Sequence, residues 1–162
     1  MKILVLSDSH SGLQFMRYCV DRIKPDHIVH LGDFYQDALV IQEQYPHIRC
    51  HQVLGNGDEA CRDPWAVRVL NYDIGGVRFY MTHGHVEGVK GGNDRLIQAA
   101  LSTQSQCLLY GHTHDALCFQ SQEGMWVMNP GTCRSFGGSV GLIEIHDKKI
   151  SSCRILRQED LE

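Results

Sequence analysis

The sequence has no stretch approaching the roughly 18 consecutive apolar residues of a membrane-spanning helix, so no transmembrane segment is expected. It also lacks a secretory leader pattern: a single Lys2 runs straight into a short apolar strand followed by Asp8 and His10, and the expected location is cytoplasmic. No Cys-x-x-Cys pair occurs among the seven cysteines, and their number is odd. That argues against a disulfide framework or a zinc finger and leaves most of them as small buried hydrophobes in a reducing compartment. Excess positive charge is missing too, since 15 Lys and Arg face 19 Asp and Glu for a net charge of −4. A chain that grips long nucleic acid would carry a basic footprint, so a small phosphorylated substrate is the expected partner, with no stable nucleic-acid binding and no membrane. Only four prolines are present, with no repeat, low-complexity stretch or linker, so residues 1–162 read as one domain.

What the chain does have is ten histidines, and their placement follows the strands. Lys2 to Leu6 is a continuous apolar run, as expected of a strand buried on both faces, and polar residues begin where it stops, at Ser7 and Asp8. Leu13, Met16, Val20 and Ile23 recur at helical spacing, and Pro25 closes that helix. A second strand, His27 to Leu31, ends in Gly32-Asp33, and a helix over Asp37 to Gln44 follows. A third strand, Arg49 to Leu54, ends in Gly55-Asn56-Gly57-Asp58. Three strands thus deliver Asp8, Asp33 and Asn56 to one carboxyl edge, where open α/β sheets place their ligands.

Beyond Trp65 the pattern predicts a hairpin, Val67 to Ile74 and Val77 to Thr82 about Gly75-Gly76. A helix over Asn93 to Leu101 and a strand from Cys107 to Tyr110 come next, then strands over Ala116 to Gln120, Met125 to Met128, Val140 to His146 and Ile150 to Leu156. The expected fold class is α/β: a four-layer αββα sandwich of two mixed β-sheets flanked by helices, with the acidic loops at one rim. Exposed hairpin edges could pair with a second copy, but no feature fixes a homo-oligomer.

Asp8-x-His10 sets a hard oxygen beside a borderline nitrogen, a pairing that suits manganese, iron, zinc or nickel better than calcium. Asp33 is the natural bridging carboxylate, because two cations about 3.5–4 Å apart need an anion between them. Asn56 offers a neutral carbonyl oxygen between two glycines that permit a sharp turn. Thr82-His83-Gly84-His85 and Gly111-His112-Thr113-His114 each place two imidazoles at i and i+2 after an apolar strand. Any one of these motifs alone reads as a cap, a turn or a core histidine; together they read as one metal site.

In that order, Asp8-x-His10, Gly32-Asp33, Gly55-Asn56-x-Asp58, Thr82-His83-Gly84-His85 and Gly111-His112-Thr113-His114 resemble the calcineurin-like metallophosphoesterase superfamily, over Lys2 to at least Arg134. The size, the Gly-Asn-x-Asp variant and Asn129-Pro130-Gly131-Thr132 look most similar to its small YfcE-like bacterial and archaeal phosphodiesterases. The resemblance implies two divalent ions, manganese foremost with iron, nickel or zinc as alternatives. Asp8, His10, Asp33 and His114 would hold one ion, and Asp33, Asn56, His83 and His112 the other. It also implies in-line attack of a metal-bridging hydroxide on a small phosphate diester.

One departure stands out. Many members of the family carry a histidine where this chain has Gly57, and that histidine serves the leaving group. Without it, alkoxide departure from alkyl esters should be slow and activated esters should fare better. His85 is the leading substitute acid or a residue that orients a ligand, and Asp58 loses the histidine it would otherwise support. Arg134 is a candidate phosphate contact. Lys90, in the glycine-rich 88–92 stretch, lacks P-loop spacing and is expected in a mobile loop. The rival reading is a non-catalytic scaffold on the same fold, as in the retromer subunit Vps29, since fold alone does not decide function.

Overall fold

A computed structural model describes residues 1–162. The chain forms ten strands and three α-helices: β1 (Lys2–Leu6), α1 (Leu13–Ile23), β2 (His27–His30), α2 (Tyr35–Gln44), β3 (Arg49–Gln52), β4 (Val69–Ile74), β5 (Val77–Thr82), α3 (Asp94–Ser102), β6 (Cys107–Leu109), β7 (Leu117–Gln120), β8 (Trp126–Asn129), β9 (Val140–His146) and β10 (Lys149–Leu156). They make two five-stranded mixed sheets, ordered β10-β9-β1-β2-β3 and β4-β5-β6-β8-β7. Within them β1, β2 and β3 are parallel neighbours, as are β5, β6 and β8, while β9, β10, β4 and β7 run antiparallel at the flanks. The expected four-layer αββα sandwich is what forms, and none of its helices is long and apolar enough to cross a membrane.

The unbroken apolar run of β1 follows from its position. Ile3 and Val5 face the space between the sheets, against Phe79 and Met81 of β5 and Leu109 of β6. Leu4 and Leu6, on the opposite face, pack with Phe15, Met16, Cys19 and Val20 of α1. Alternate side chains therefore enter two different cores, and no position from Ile3 to Leu6 can be polar. Each such fully buried side chain contributes roughly 1.5–3 kcal/mol. On the outer face of the second sheet, Leu108, Tyr110 and Val127 meet Leu96 and Ala100 of α3.

Helix α1 ends as its sequence suggests, with Lys24 in the left-handed region (φ 51°) and its amide on the Val20 carbonyl, just before Pro25. Helix α2 starts two residues earlier than its apolar spacing predicts. The Asp58 carboxylate, from another loop, accepts the Tyr35 amide at 2.8 Å and satisfies a helix-start donor that local sequence leaves open. The 88–92 stretch carries local structure of its own. Val89–Gly91 forms a 3-10 turn, and Val89 is buried against the α3 core, an anchor that glycine content alone conceals.

Candidate metal centre

Five strand ends meet at one rim of the sandwich. The first sheet brings Asp8 and His10 after β1, Asp33 after β2 and Asn56 after β3. The second brings His83 after β5 and His112 and His114 after β6. Asp8, His10, Asp33, His112 and His114 all adopt left-handed backbone conformations, with φ between 42° and 69°. Non-glycine residues reach that region at a cost, and it is used where a chain must turn a side chain abruptly off a strand. Two glycines permit the close packing. A Cβ on Gly55 would overlap the Asp33 carboxylate, and one on Gly111 would overlap the Ser7 hydroxyl.

The ligating atoms converge. Asp8 Oδ1 lies 3.1 Å from His114 Nε2 and 3.9 Å from His83 Nε2. His83 Nε2 is 3.5 Å from Asp33 Oδ1, 3.0 Å from Asn56 Oδ1 and 3.2 Å from His112 Nδ1. His10 Nε2 lies 3.9 Å from Asp33 Oδ2 and is buried with no hydrogen-bond partner. Two groups each bring their ligand atoms within 4.8 Å of one another: Asp8, His10 and His114, and Asp8, Asp33 and His83. All seven expected ligands are thus brought together, five of them in these two groups.

Each half orients the other's donors. His83 is fully buried, and its Nδ1–H donates to the Leu31 carbonyl, a first-sheet atom, at 2.7 Å. In the neutral ring this leaves a lone pair on Nε2, which faces the oxygens of Asn56 and Asp33 and the Nδ1 of His112. Electron-rich atoms so crowded repel one another unless protons or cations lie among them, so the donor set fits divalent metal. In the opposite direction, the His112 amide of the second sheet donates to Asp8 Oδ2 at 3.1 Å, and the Ser7 hydroxyl donates to the same oxygen, which frees Oδ1 for the site. Asp33 Oδ1 accepts the Gly57 amide at 2.8 Å.

Asp58 is buried and fully occupied. Its Oδ2 accepts the Asp33 and Gly55 amides at 2.9 and 2.8 Å, and its Oδ1 accepts Tyr35. This carboxylate clamps two ligand loops together. His85 sits beside the site, its ring centroid 5.4 Å from that of His83 and 6.1 Å from that of His112. Arg68 donates to His85 Nε2 at 2.9 Å, which puts the ring proton on Nδ1, and that atom is buried without a partner. Burial, then His83 and Arg68, lower the His85 pKa. Burial also lowers that of His112, followed by His83 and the Lys90 charge. Arg134 is exposed on the loop that follows Thr132, and no hydrogen bond or ion pair ties its side chain to the ligands.

Several further residues hold the ligand loops in place. The Ser9 hydroxyl donates to Asp37 at 2.7 Å and meets His30 Nε2 at 3.0 Å, and Asp37 also accepts the Ser11 amide at 2.8 Å. The Thr132 hydroxyl donates to the Asp8 carbonyl, and Asn129 donates to the Gly111 carbonyl and the Thr113 hydroxyl. The Asn129-Pro130-Gly131-Thr132 motif was the one signal of this group, as it braces the loops after β1 and β6. Nothing local marked Arg68 or Leu31.

The chain matches the calcineurin-like phosphoesterase superfamily domain across residues 1–148. It is 26% identical over 134 residues to a probable metallophosphoesterase of Mycoplasma pneumoniae, covering 81% of this chain and 78% of the relative. The fold is similar to that of YfcE, a phosphoesterase from E. coli, with a TM-score of 0.63, 21% identity and coverage of 95% and 98% of the two chains. It is likewise similar to zinc-complexed Vps29 of Entamoeba histolytica, at TM-score 0.74, 20% identity and coverage of 97% and 98%.

Proposed function

Because this chain belongs to the calcineurin-like phosphoesterase superfamily, we propose that it is a dinuclear-metal-dependent phosphodiesterase of small phosphate esters. The carrying observation is the lone pair of His83 Nε2, fixed by the Leu31 carbonyl and facing the acceptors of Asn56, Asp33 and His112. Asp8, His10, Asp33 and His114 would hold one ion, and Asp33, Asn56, His83 and His112 the other, with Asp33 between them. Manganese suits this mixed oxygen and nitrogen set best, with iron, nickel or zinc as alternatives. Bound there, the cations would supply Lewis acidity, acidifying water and neutralising phosphoryl oxygens.

The chain's own part is to hold geometry and to serve the leaving group. Asp8 and Asp33 each spend hydrogen-bonding capacity on backbone amides, which fixes their direction before any substrate arrives. His85, its Nε2 engaged by Arg68, presents Nδ1–H as a neutral donor. A neutral imidazole stabilises a phosphoryl oxygen or a departing oxygen but is a poor acid toward an alkoxide. The reaction should therefore favour aryl or other low-pKa leaving groups. Beside Gly57 a cavity of about 170 Å³, lined by Phe34, Tyr35 and Ala60 among others, gives such a group room. Arg134, on the exposed loop, is available as a phosphate contact. The net charge of −4 favours a small ester over nucleic acid, and we place the activity in the cytoplasm.

Metal content alone does not separate this reading from a scaffold, because Vps29 of Entamoeba histolytica was itself crystallised with zinc. The deciding experiment combines elemental analysis with turnover of matched aryl and alkyl diesters and monoesters by the wild type and Asp33→Asn. Two ions per chain, diester hydrolysis, and a loss of more than about 10³-fold in the variant, roughly 4 kcal/mol, are expected. Metal binding with no turnover on any ester would leave the scaffold standing.

A further inference from the structure

Away from the metal centre, Cys118 of β7 and Cys153 of β10 face each other across the sandwich. Strand β7 is the outermost strand of the second sheet and β10 the outermost of the first, so the two thiols join the free edges of different sheets. Cys118 Sγ lies 3.2 Å from Cys153 Sγ and 3.3 Å from the Cys153 carbonyl oxygen. Both side chains are half-buried at the margin of the core between the sheets. The sulfurs need close by only about 1 Å to reach the bonding distance of about 2.05 Å.

We propose that Cys118 and Cys153 are a thiol pair modified to an intramolecular disulfide by small-molecule disulfides of the glutathione class. The chemistry balances without further reactants. The Cys118 thiolate attacks one sulfur of the small disulfide, forms a mixed disulfide and expels one small thiolate, which takes up the proton that Cys118 lost. Cys153 then loses its proton and attacks Cys118 Sγ, forming the protein disulfide and expelling the second small thiolate, which takes that proton. Two protein thiols are oxidised by two electrons, and one small disulfide is reduced to two thiols.

The contact prepares the roles. Hydrogen bonding between the thiols holds the Cys118 pKa below the ordinary thiol value and, with burial, pushes that of Cys153 up. Cys118 is the less buried of the two and so meets the reagent first as the attacking thiolate, while Cys153, 3.2 Å away, is placed to resolve the mixed disulfide. No other pair competes at this place, since neighbouring Cys107 is fully buried and burial raises its pKa well above the ordinary value. The bond would close a loop of 35 residues, from β7 through β8 and β9 to β10, and tie the sheets together at their open edges.

The test uses the full chain in glutathione redox buffers, with free thiols then alkylated. Cleavage after Arg and Lys releases Cys153 in the peptide Ile150 to Arg154, and further cleavage after Asp115 and Glu123 isolates Cys118 in the peptide Ala116 to Glu123, apart from Cys107 and Cys133. Mass spectrometry should find Cys153 linked to the fragment that contains Cys118. The link should disappear in Cys118→Ala, persist in Cys107→Ala and reverse with dithiothreitol. Oxidation should raise the Tm of the wild type by about 5–10 °C and leave that of Cys153→Ala unchanged. Cys153 recovered free, linked to another cysteine, or linked between two chains in oxidising buffer would overturn the proposal. Because the peptide map of the wild type decides this by itself, a variant that fails to fold does not blunt the test.

Discussion

The two sheets contribute different chemistry to the same rim. The first supplies Asp8, Asp33 and Asn56, all oxygen donors, with His10 as its single nitrogen; the second supplies His83, His112 and His114 and no oxygen. The oxygen half is rigid through amides: Asp58 alone takes three, and Asp33 takes one from Gly57. The nitrogen half has no carboxylate clamp: Asn129 braces its β6 loop, while His83 is oriented by the Leu31 carbonyl and His114 by Asp8 of the first sheet. Neither sheet carries a finished site. Orientation is exchanged across the sandwich, so a defect in one half should be read out in the other.

The sharpest break is His83→Ala, which removes the nitrogen at the centre of the cluster and strands the Leu31 carbonyl. Diester hydrolysis should fall by more than about 10³-fold. Elemental analysis should show one ion per chain lost, the one assigned to Asp33, Asn56, His83 and His112, although every oxygen ligand remains. Full retention of both ions would mean that the oxygen half suffices.

Asp58→Ala attacks the other side without touching a ligand. Three buried amides lose their acceptor at about 1–3 kcal/mol each, so the Tm should drop by about 10 °C. Turnover should fall by about 10–100-fold, the usual effect of unfastening a ligand's support. An unchanged melting curve would show that the loops hold themselves.

Gly57→His asks whether the oxygen half can recover a leaving-group donor. A Cβ there would stand 3.2 Å from Asp33 Oδ1, tight but without a left-handed backbone to forbid it. The ratio of alkyl to aryl diester rates should rise about 10-fold or more. No change in the ratio would put the leaving-group task on His85 alone.

The smallest expected effect separates the sheets by acid. Burial, then His27 and Arg49, push the His51 pKa from 6.5 down to about 4, and His27 Nδ1 lies 3.0 Å from His51 Nε2 on adjacent strands of the first sheet. The folded state resists a proton that the unfolded chain accepts, so the stability is present above about 6.5 and is lost as pH falls toward about 4. Between pH 7 and 5 the wild-type Tm should fall about 2–4 °C further than that of His51→Gln. Parallel curves would relieve this pair of any part in acid sensitivity.

Much of this molecule is legible in its sequence. β1, α1, β5 and β9 begin and end where the pattern of apolar residues places them, because buried strands and a one-faced helix each leave a local signature. The strand ends carrying Asp8, Asp33, Asn56, His83 and His112 are equally local, since polar residues follow apolar runs. The start of α2 lies two residues before the point its own sequence marks, because the Tyr35 amide is satisfied by Asp58, a residue far along the chain.

The sequence by itself therefore determined the order of elements and the inventory of donor atoms, both set by short-range pattern. Only the tertiary structure decided which sheet edge pairs with which, which nitrogen of His83 faces the site, that Asp58 clamps loops, that Arg68 fixes the His85 tautomer, and that Cys118 meets Cys153. Each of those depends on atoms brought together from strands distant in sequence, and hydrogen bonds formed at that range leave no periodicity to read.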